Sequence, residues 1–301
     1  MEQMTTGPCP KCGRELNIPA ELESFSCMYC GARLTQADLC PQEEQALSAD
    51  EQAESFAHAT SRLGWCVTNF HGYQQKILRD TFFQAFETYE TGCAPVIQEL
   101  SRGVPSYRQT ELLTQAAETF LNELERGWKG KGDMEDEKII LAIFFIPMLR
   151  KQNLPVSEEF AAIIQKLWVE RYPKSPFYLG DYDSISAGFR KKFLGLCFIT
   201  TAVCQELGKP DDCEELTAFR AFRDGYLRSQ PDGEALIREY YNIAPGIVTC
   251  INTCSDRHAS YARIREEYLA PCYQDLLAGR NESCKARYVR MVRDLEREYL
   301  S

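Results

Sequence analysis

Nowhere in the 301 residues does an apolar run reach the length of a membrane span. The longest, IILAIFFIPML at 139–149, has 11 residues, and at ~1.5 Å rise each they give ~17 Å of helix against a ~30 Å hydrocarbon core. No basic leader or apolar stretch opens the chain, so neither export nor a transmembrane segment is expected. Positive charge is also scarce: 34 Lys and Arg against 44 Asp and Glu leave a net charge of −10, which argues against a general polyanion-binding surface. Only three histidines are present. His58 and His71 stand without a cysteine or carboxylate cluster, the pattern of structural histidines. No internal repeat is visible, and the Gly-rich stretch GWKGKGDMEDE at 127–137 lacks the spacing of a phosphate-binding loop, so it reads as a linker.

What remains is the composition of a folded protein, with 44% hydrophobic residues, 11% aromatics and 26% charge. Its anomaly is cysteine: fourteen residues, five in 1–40, two in 41–196 and seven in 197–301. In the reducing cytosol expected for this chain, such cysteines are metal ligands, small core residues or redox groups rather than a disulfide framework. Their distribution and the local composition predict three regions, 1–40, 41–174 and 175–301, the first small and Gly/Pro-punctuated, the others helical.

Cys9-Pro-Lys-Cys12-Gly and Cys27-Met-Tyr-Cys30-Gly are separated by 14 residues. Two CxxC turns each deliver two thiolates from one tight turn, which is what a tetrahedral zinc ion requires, and Gly13 and Gly31 follow at the point where the chain must bend. A redox CxxC fits poorly, because two pairs occur together outside a βαβ context. Cys9, Cys12, Cys27 and Cys30 are therefore the expected Zn2+ ligands. Cys40 is left over. Short strands are expected around 16–18 and 24–26. So small a region cannot build much core, and metal binding would supply its folding free energy. The segment 9–31 resembles the zinc-ribbon family, whose members serve nucleic-acid enzymes and adaptors alike. Here Lys11, Arg14 and Arg33 stand against Glu2, Glu15, Glu21, Glu23 and Asp38, three against five, so a protein-docking or purely structural ribbon is expected ahead of a nucleic-acid-binding one.

From about residue 43 the periodicity is helical. Helices are expected over 61–89, with Phe82, Phe86 and Tyr89 on one face, and over 111–125, with Leu112, Ala116, Phe120 and Leu124. The segment 138–150 is apolar all round and belongs at the centre of a bundle. Another helix should run from Ser157 through Trp168. The stretch 173–183 reads as a loop.

A helix is expected from Ser184 through Leu207, with Phe189, Phe193, Leu196, Thr200 and Val203 on one face and Cys197 in its middle. Asp212 and Glu215 suggest a capping box, Arg220 and Asp224 an i,i+4 ion pair, and Asp232 a further cap. Pro245 is expected to open a helix, and the last helix starts at Asn281. The ordered blocks CFITTAVC (197–204), KPDDCEELTAFRAFRDGYL (209–227), DGEALIREYYNIAPGIV (232–248) and YLAPC (268–272) resemble the CFI-box C-terminal domain of bacterial proteins. Its combination with a ribbon is similar to bacterial proteins, Firmicutes ones among them. The resemblance implies a helical domain without an assigned activity.

Three functions stay open. The favoured one is a cytosolic zinc-ribbon scaffold or adaptor whose helical body binds another protein. A cysteine-dependent enzyme or redox or metal sensor would use Cys197, or Cys254 with His258 as base, or a second site built from two adjacent members of Cys250, Cys254 and His258, completed by Cys272, Cys213 or Cys284. A nucleic-acid accessory factor would use the ribbon. Cys197 and Cys204, ~10.5 Å apart on an intact helix, cannot chelate one ion. Small packing residues are the expected role of most C-terminal cysteines.

Overall fold

A computed structural model describes residues 4–22, 24–39, 47–190 and 197–301. It is mostly helical, with four short strands near the N-terminus, and it divides into two compact units, 1–51 and 52–301.

The small unit is two hairpins, each made of paired strands around a tight turn. Strands β1 (Met4–Pro8) and β2 (Glu15–Pro19) pair antiparallel with Gly7 opposite Leu16, and β3 (Ser24–Ser26) pairs with β4 (Arg33–Thr35) with Phe25 opposite Leu34. The expected strands are present, and each has a partner that sequence reading did not find. A single helical turn, Gln36–Leu39, follows β4, with the Asp38 carboxylate accepting the Thr35 N–H at 2.6 Å. Its core is six side chains: Cys9, Leu16, Ile18, Cys27, Leu34 and Leu39. Cys40 lies outside the described residues.

The larger unit is helical and shares one continuous core from Ala59 to Leu300. No break in that core coincides with residue 174. Phe82 stacks on Phe189 with ring centroids 4.2 Å apart, and Asn242 accepts the backbone N–H groups of Arg79 and Asp80 at 3.0 Å. Gly246 lies against the backbone of Ile77 so closely that a Cβ there would stand 1.9 Å from the Ile77 carbonyl oxygen.

Helix Gln109–Gly127 buries the expected face, and Ser157–Arg171 and Asn281–Tyr299 also form where expected. Four expectations are corrected. The helix expected over 61–89 is broken: Gly72 adopts φ +84°, and the long helix Phe82–Gly103 begins only afterwards, with Phe82, Phe86 and Tyr89 on its buried face. The expected linker 127–137 is helical from Lys131. The Asp133 carboxylate accepts the Lys129 N–H at 2.6 Å, and the Trp128 indole N–H bonds Glu137 at 2.7 Å, fixing the start. Pro245 does not open a helix but sits inside Gly233–Cys254. The helix expected over 184–207 is seen as Tyr182–Arg190 and Phe198–Glu206; Phe193 and Leu196 lie outside the described residues, and Cys197, at φ −106° and ψ 80°, is not helical.

Three single π-turns, Leu141–Phe145, Arg223–Leu227 and Arg265–Leu269, interrupt helices of this unit. The first lies in the apolar 139–149 segment, which is buried along its whole length, Ile143 included, as its composition predicted. Each π-turn carries an extra residue and so rotates the following face relative to a 3.6-residue repeat. No helix is long and apolar enough to cross a membrane among the described residues.

Candidate metal centre

Each CxxC segment closes in the same way. Gly13 donates its N–H to the Cys9 carbonyl and Gly31 to the Cys27 carbonyl, both at 2.8 Å, while Cys9 and Cys27 donate to Arg14 and Ala32, also at 2.8 Å. Gly13 and Gly31 hold φ of +71° and +73°, the left-handed region where a Cβ is penalised. The two turns are thus near copies of one another, and a hairpin anchors each. Cys9 and Cys27, the first cysteines of the pairs, are buried; Cys12 and Cys30 face solvent.

The four sulfurs lie within 4.8 Å of one another. Cys9 Sγ and Cys30 Sγ are 3.8 Å apart, as are Cys12 Sγ and Cys27 Sγ. A tetrahedron with ~2.3 Å metal–sulfur bonds has edges of ~3.8 Å, so the set has the dimensions of a four-thiolate metal site. Backbone N–H groups point at the sulfurs, Lys11 N to Cys9 Sγ at 3.4 Å among them. At Cys27 desolvation opposes ionisation, but the N–H groups of Tyr29 and Cys30 and the neighbouring thiols bring the thiol down to about 6. At Cys30 the N–H of Ala32 favours the thiolate, yet desolvation and the three other sulfurs outweigh it and push the thiol up to about 12. Four crowded sulfurs without a cation resist carrying four charges. A divalent ion bound there would reverse that balance and favour all four as thiolates.

The other chemical candidates are dispersed. Among the described residues, no second group of three or more Cys, His, Asp or Glu side chains is placed to hold a metal ion. Cys254 ends the helix Gly233–Cys254, whereas His258 lies on a separate helix, Arg257–Ile264, with its side chain exposed and facing Glu206 at 3.4 Å. The i,i+4 relation expected of the two is lost because the chain turns at Ser255 and Asp256, where the Asp256 carboxylate caps the new helix. Burial pushes the Cys254 thiol up to about 12, which disfavours its thiolate, and Cys250, Cys272 and Cys284 are fully buried. His58 accompanies Glu99 at 2.8 Å and His71 lies 3.8 Å from Glu137, both on the surface side of the helices.

Two polar clusters went unread in the sequence. Arg223 is buried: the π-turn at 223–227 aims its Nη1 at the Tyr241 hydroxyl, 3.1 Å away, and at Cys197 Sγ, 3.4 Å away, while Nε and Nη2 grip the Asp224 carboxylate. Asp224 is therefore not the partner of Arg220, which binds Asp211 at 2.8 Å instead. Nor does Asp212 form the expected capping box: Cys213 occupies the N-cap, and Glu215 pairs with Lys209. Asp232 holds an N-cap position, but its carboxylate goes to Lys285 at 2.7 Å. A cavity of about 60 Å³, walled by Phe219, Phe222 and Ile237, reaches Cys197 and Arg223. The second cluster joins buried Lys138 to Glu135 and to Ser175 Oγ at 2.8 Å, with the Ser175 hydroxyl donating to Glu135 at 2.7 Å. It was hidden because 127–137 read as a linker.

Comparison of the chain with family models, with curated proteins and with solved structures finds no match.

Proposed function

We propose that residues 4–39 are a zinc ribbon and that the chain is a zinc-dependent scaffold or adaptor of the cytosol, using the ribbon to dock another protein. The observation that carries the reading is the four-sulfur set with 3.8 Å edges. Four thiolates and no open ligand position suit zinc in a structural role. Docking of a protein is supported by the second CxxC turn, where Met28 is 70% exposed and Tyr29 50%, beside a unit with more acidic than basic side chains. Phosphate-backbone binding would call for the opposite charge. The helical body, whose blocks resemble the CFI-box domain, is the scaffold part of this reading.

Elemental analysis of the purified chain should find one zinc per molecule, and the quadruple Cys→Ser variant at 9, 12, 27 and 30 should hold none. Cross-linking in cells should trap a protein on the wild-type chain at near-stoichiometric level and lose it with Met28→Glu/Tyr29→Ala, a variant that keeps its zinc. Salt-sensitive capture of nucleic acid in place of that protein would replace the adaptor reading.

A further inference from the structure

Among the C-terminal cysteines, one pair combines proximity with access. Cys204 lies near the end of helix Phe198–Glu206 and Cys213 at the N-cap of helix Glu214–Phe222, and their sulfurs are 3.9 Å apart. Cys204 is buried, whereas Cys213 is partly exposed. Cys66, Cys93, Cys272 and Cys284, by contrast, are all fully buried.

We propose that Cys204 and Cys213 form a reversible thiol–disulfide pair, a modification site oxidised by low-molecular-weight disulfides. The connection between them is built to permit closure. It runs through Gly208, at φ +67°, and Pro210, and the Cys213 N–H bonds the Pro210 carbonyl at 3.1 Å. Cys213, at φ −59° and ψ 150°, lies outside the regular helix, so its side chain can swing without breaking the helical ladder. The sulfurs must approach by about 1.9 Å to reach a bond of about 2.0 Å.

The order of events follows from exposure. The Cys213 thiolate attacks one sulfur of the disulfide and expels one small thiolate, leaving a mixed disulfide. Cys204 sulfur then attacks Cys213 sulfur, forms the protein disulfide and expels the second small thiolate, which takes the Cys204 proton. Two electrons pass from the two cysteines to the small disulfide, which leaves as two thiols. Burial and the neighbouring Cys213 push the Cys204 thiol up to about 12, which leaves the first attack to Cys213; once Cys213 is in the mixed disulfide it no longer opposes ionisation of Cys204, whose target sulfur is then its neighbour. The bond would join the helix that follows Cys197 to the one that carries Phe219 and Phe222, and these three residues line the 60 Å³ cavity.

The test uses the full-length reduced chain, its metal content measured before and after, treated with oxidised glutathione, quenched with iodoacetamide and cleaved by a glutamyl endopeptidase. Cleavage after Glu206 separates the two cysteines, so their peptides stay joined only through a disulfide. The expected result is that joined pair, reversed by dithiothreitol. Cys204→Ala should instead accumulate glutathione on Cys213, and Cys213→Ser should slow thiol loss in this region about tenfold. A stable glutathione adduct on wild-type Cys213, its linkage to another cysteine, or no reaction of either thiol would overturn the proposal. Because the linked peptides are scored apart from the metal content, a chain that held no zinc would leave this test intact.

Discussion

Glu135, Lys138 and Ser175 show how one residue's protonation is set by its neighbours. Burial alone would raise the Glu135 carboxyl, but the Lys138 ammonium and the Ser175 hydroxyl outweigh it and hold the group below the ordinary carboxylate range. A depressed carboxyl contributes stability that is present above its unfolded pKa and lost as pH falls through the folded one. Denaturant titrations between pH 7 and pH 3 should therefore show a steeper loss for wild type than for Lys138→Met, in which the cation is gone. Glu135→Ala at neutral pH leaves the buried Lys138 charge without its partner. The ~3–5 kcal/mol of a broken buried pair is an upper bound, because Glu135 is about a third exposed, and a loss of about 2 kcal/mol is expected. Unchanged stability in that variant would mean that Lys138 finds water instead.

The CxxC turn is the element on which the metal site depends. Nothing stands within 4 Å of a Cβ placed on Gly31, so substitution there is opposed by its φ of +73° alone. Gly31→Val should cost about 1–2 kcal/mol, read as a roughly tenfold weaker metal affinity in competition with a chromophoric chelator, whereas Gly31→Asn should stay close to wild type. The apolar helix with its π-turn tests the other unit. Ile143 is fully buried there, and Ile143→Asp would bury a carboxylate without a partner, at a cost of about 4 kcal/mol in urea denaturation. Wild-type stability would place that segment at an exposed surface.

For the whole molecule, the separation into two cores predicts two independent responses to metal removal. The small unit's core has six buried side chains, too few to hold its 35 described residues at 4–39 without a metal, while the body has its own continuous core. Chelation should make amide exchange fast over 4–39 and leave protection in 82–103, 139–149 and 281–299 unchanged. Loss of protection across both regions would show that the body's stability depends on the small unit.

The four-cysteine set was legible in the sequence because two CxxC pairs and their glycines are local: each turn is fixed within six residues, and only the meeting of the two turns needs tertiary structure. The amphipathic helices at 109–127 and 281–299 were legible for a related reason, since a 3.6-residue stripe needs no knowledge of its partner. Periodicity failed where a turn carried one extra residue. The π-turn at 223–227 buried Arg223 against Cys197 and Tyr241, and no spacing rule places residue 223 beside residues 197 and 241. Likewise, Cys254 and His258 are four apart in sequence, yet a helix break sends one into the core and the other into solvent. Cys204 and Cys213 are nine apart and meet because a loop returns the chain on itself. Sequence thus determined which residues could bind metal and which faces would be buried; contacts across turns and between helices, set by packing of the whole body, decided which of the remaining cysteines have a neighbour to react with.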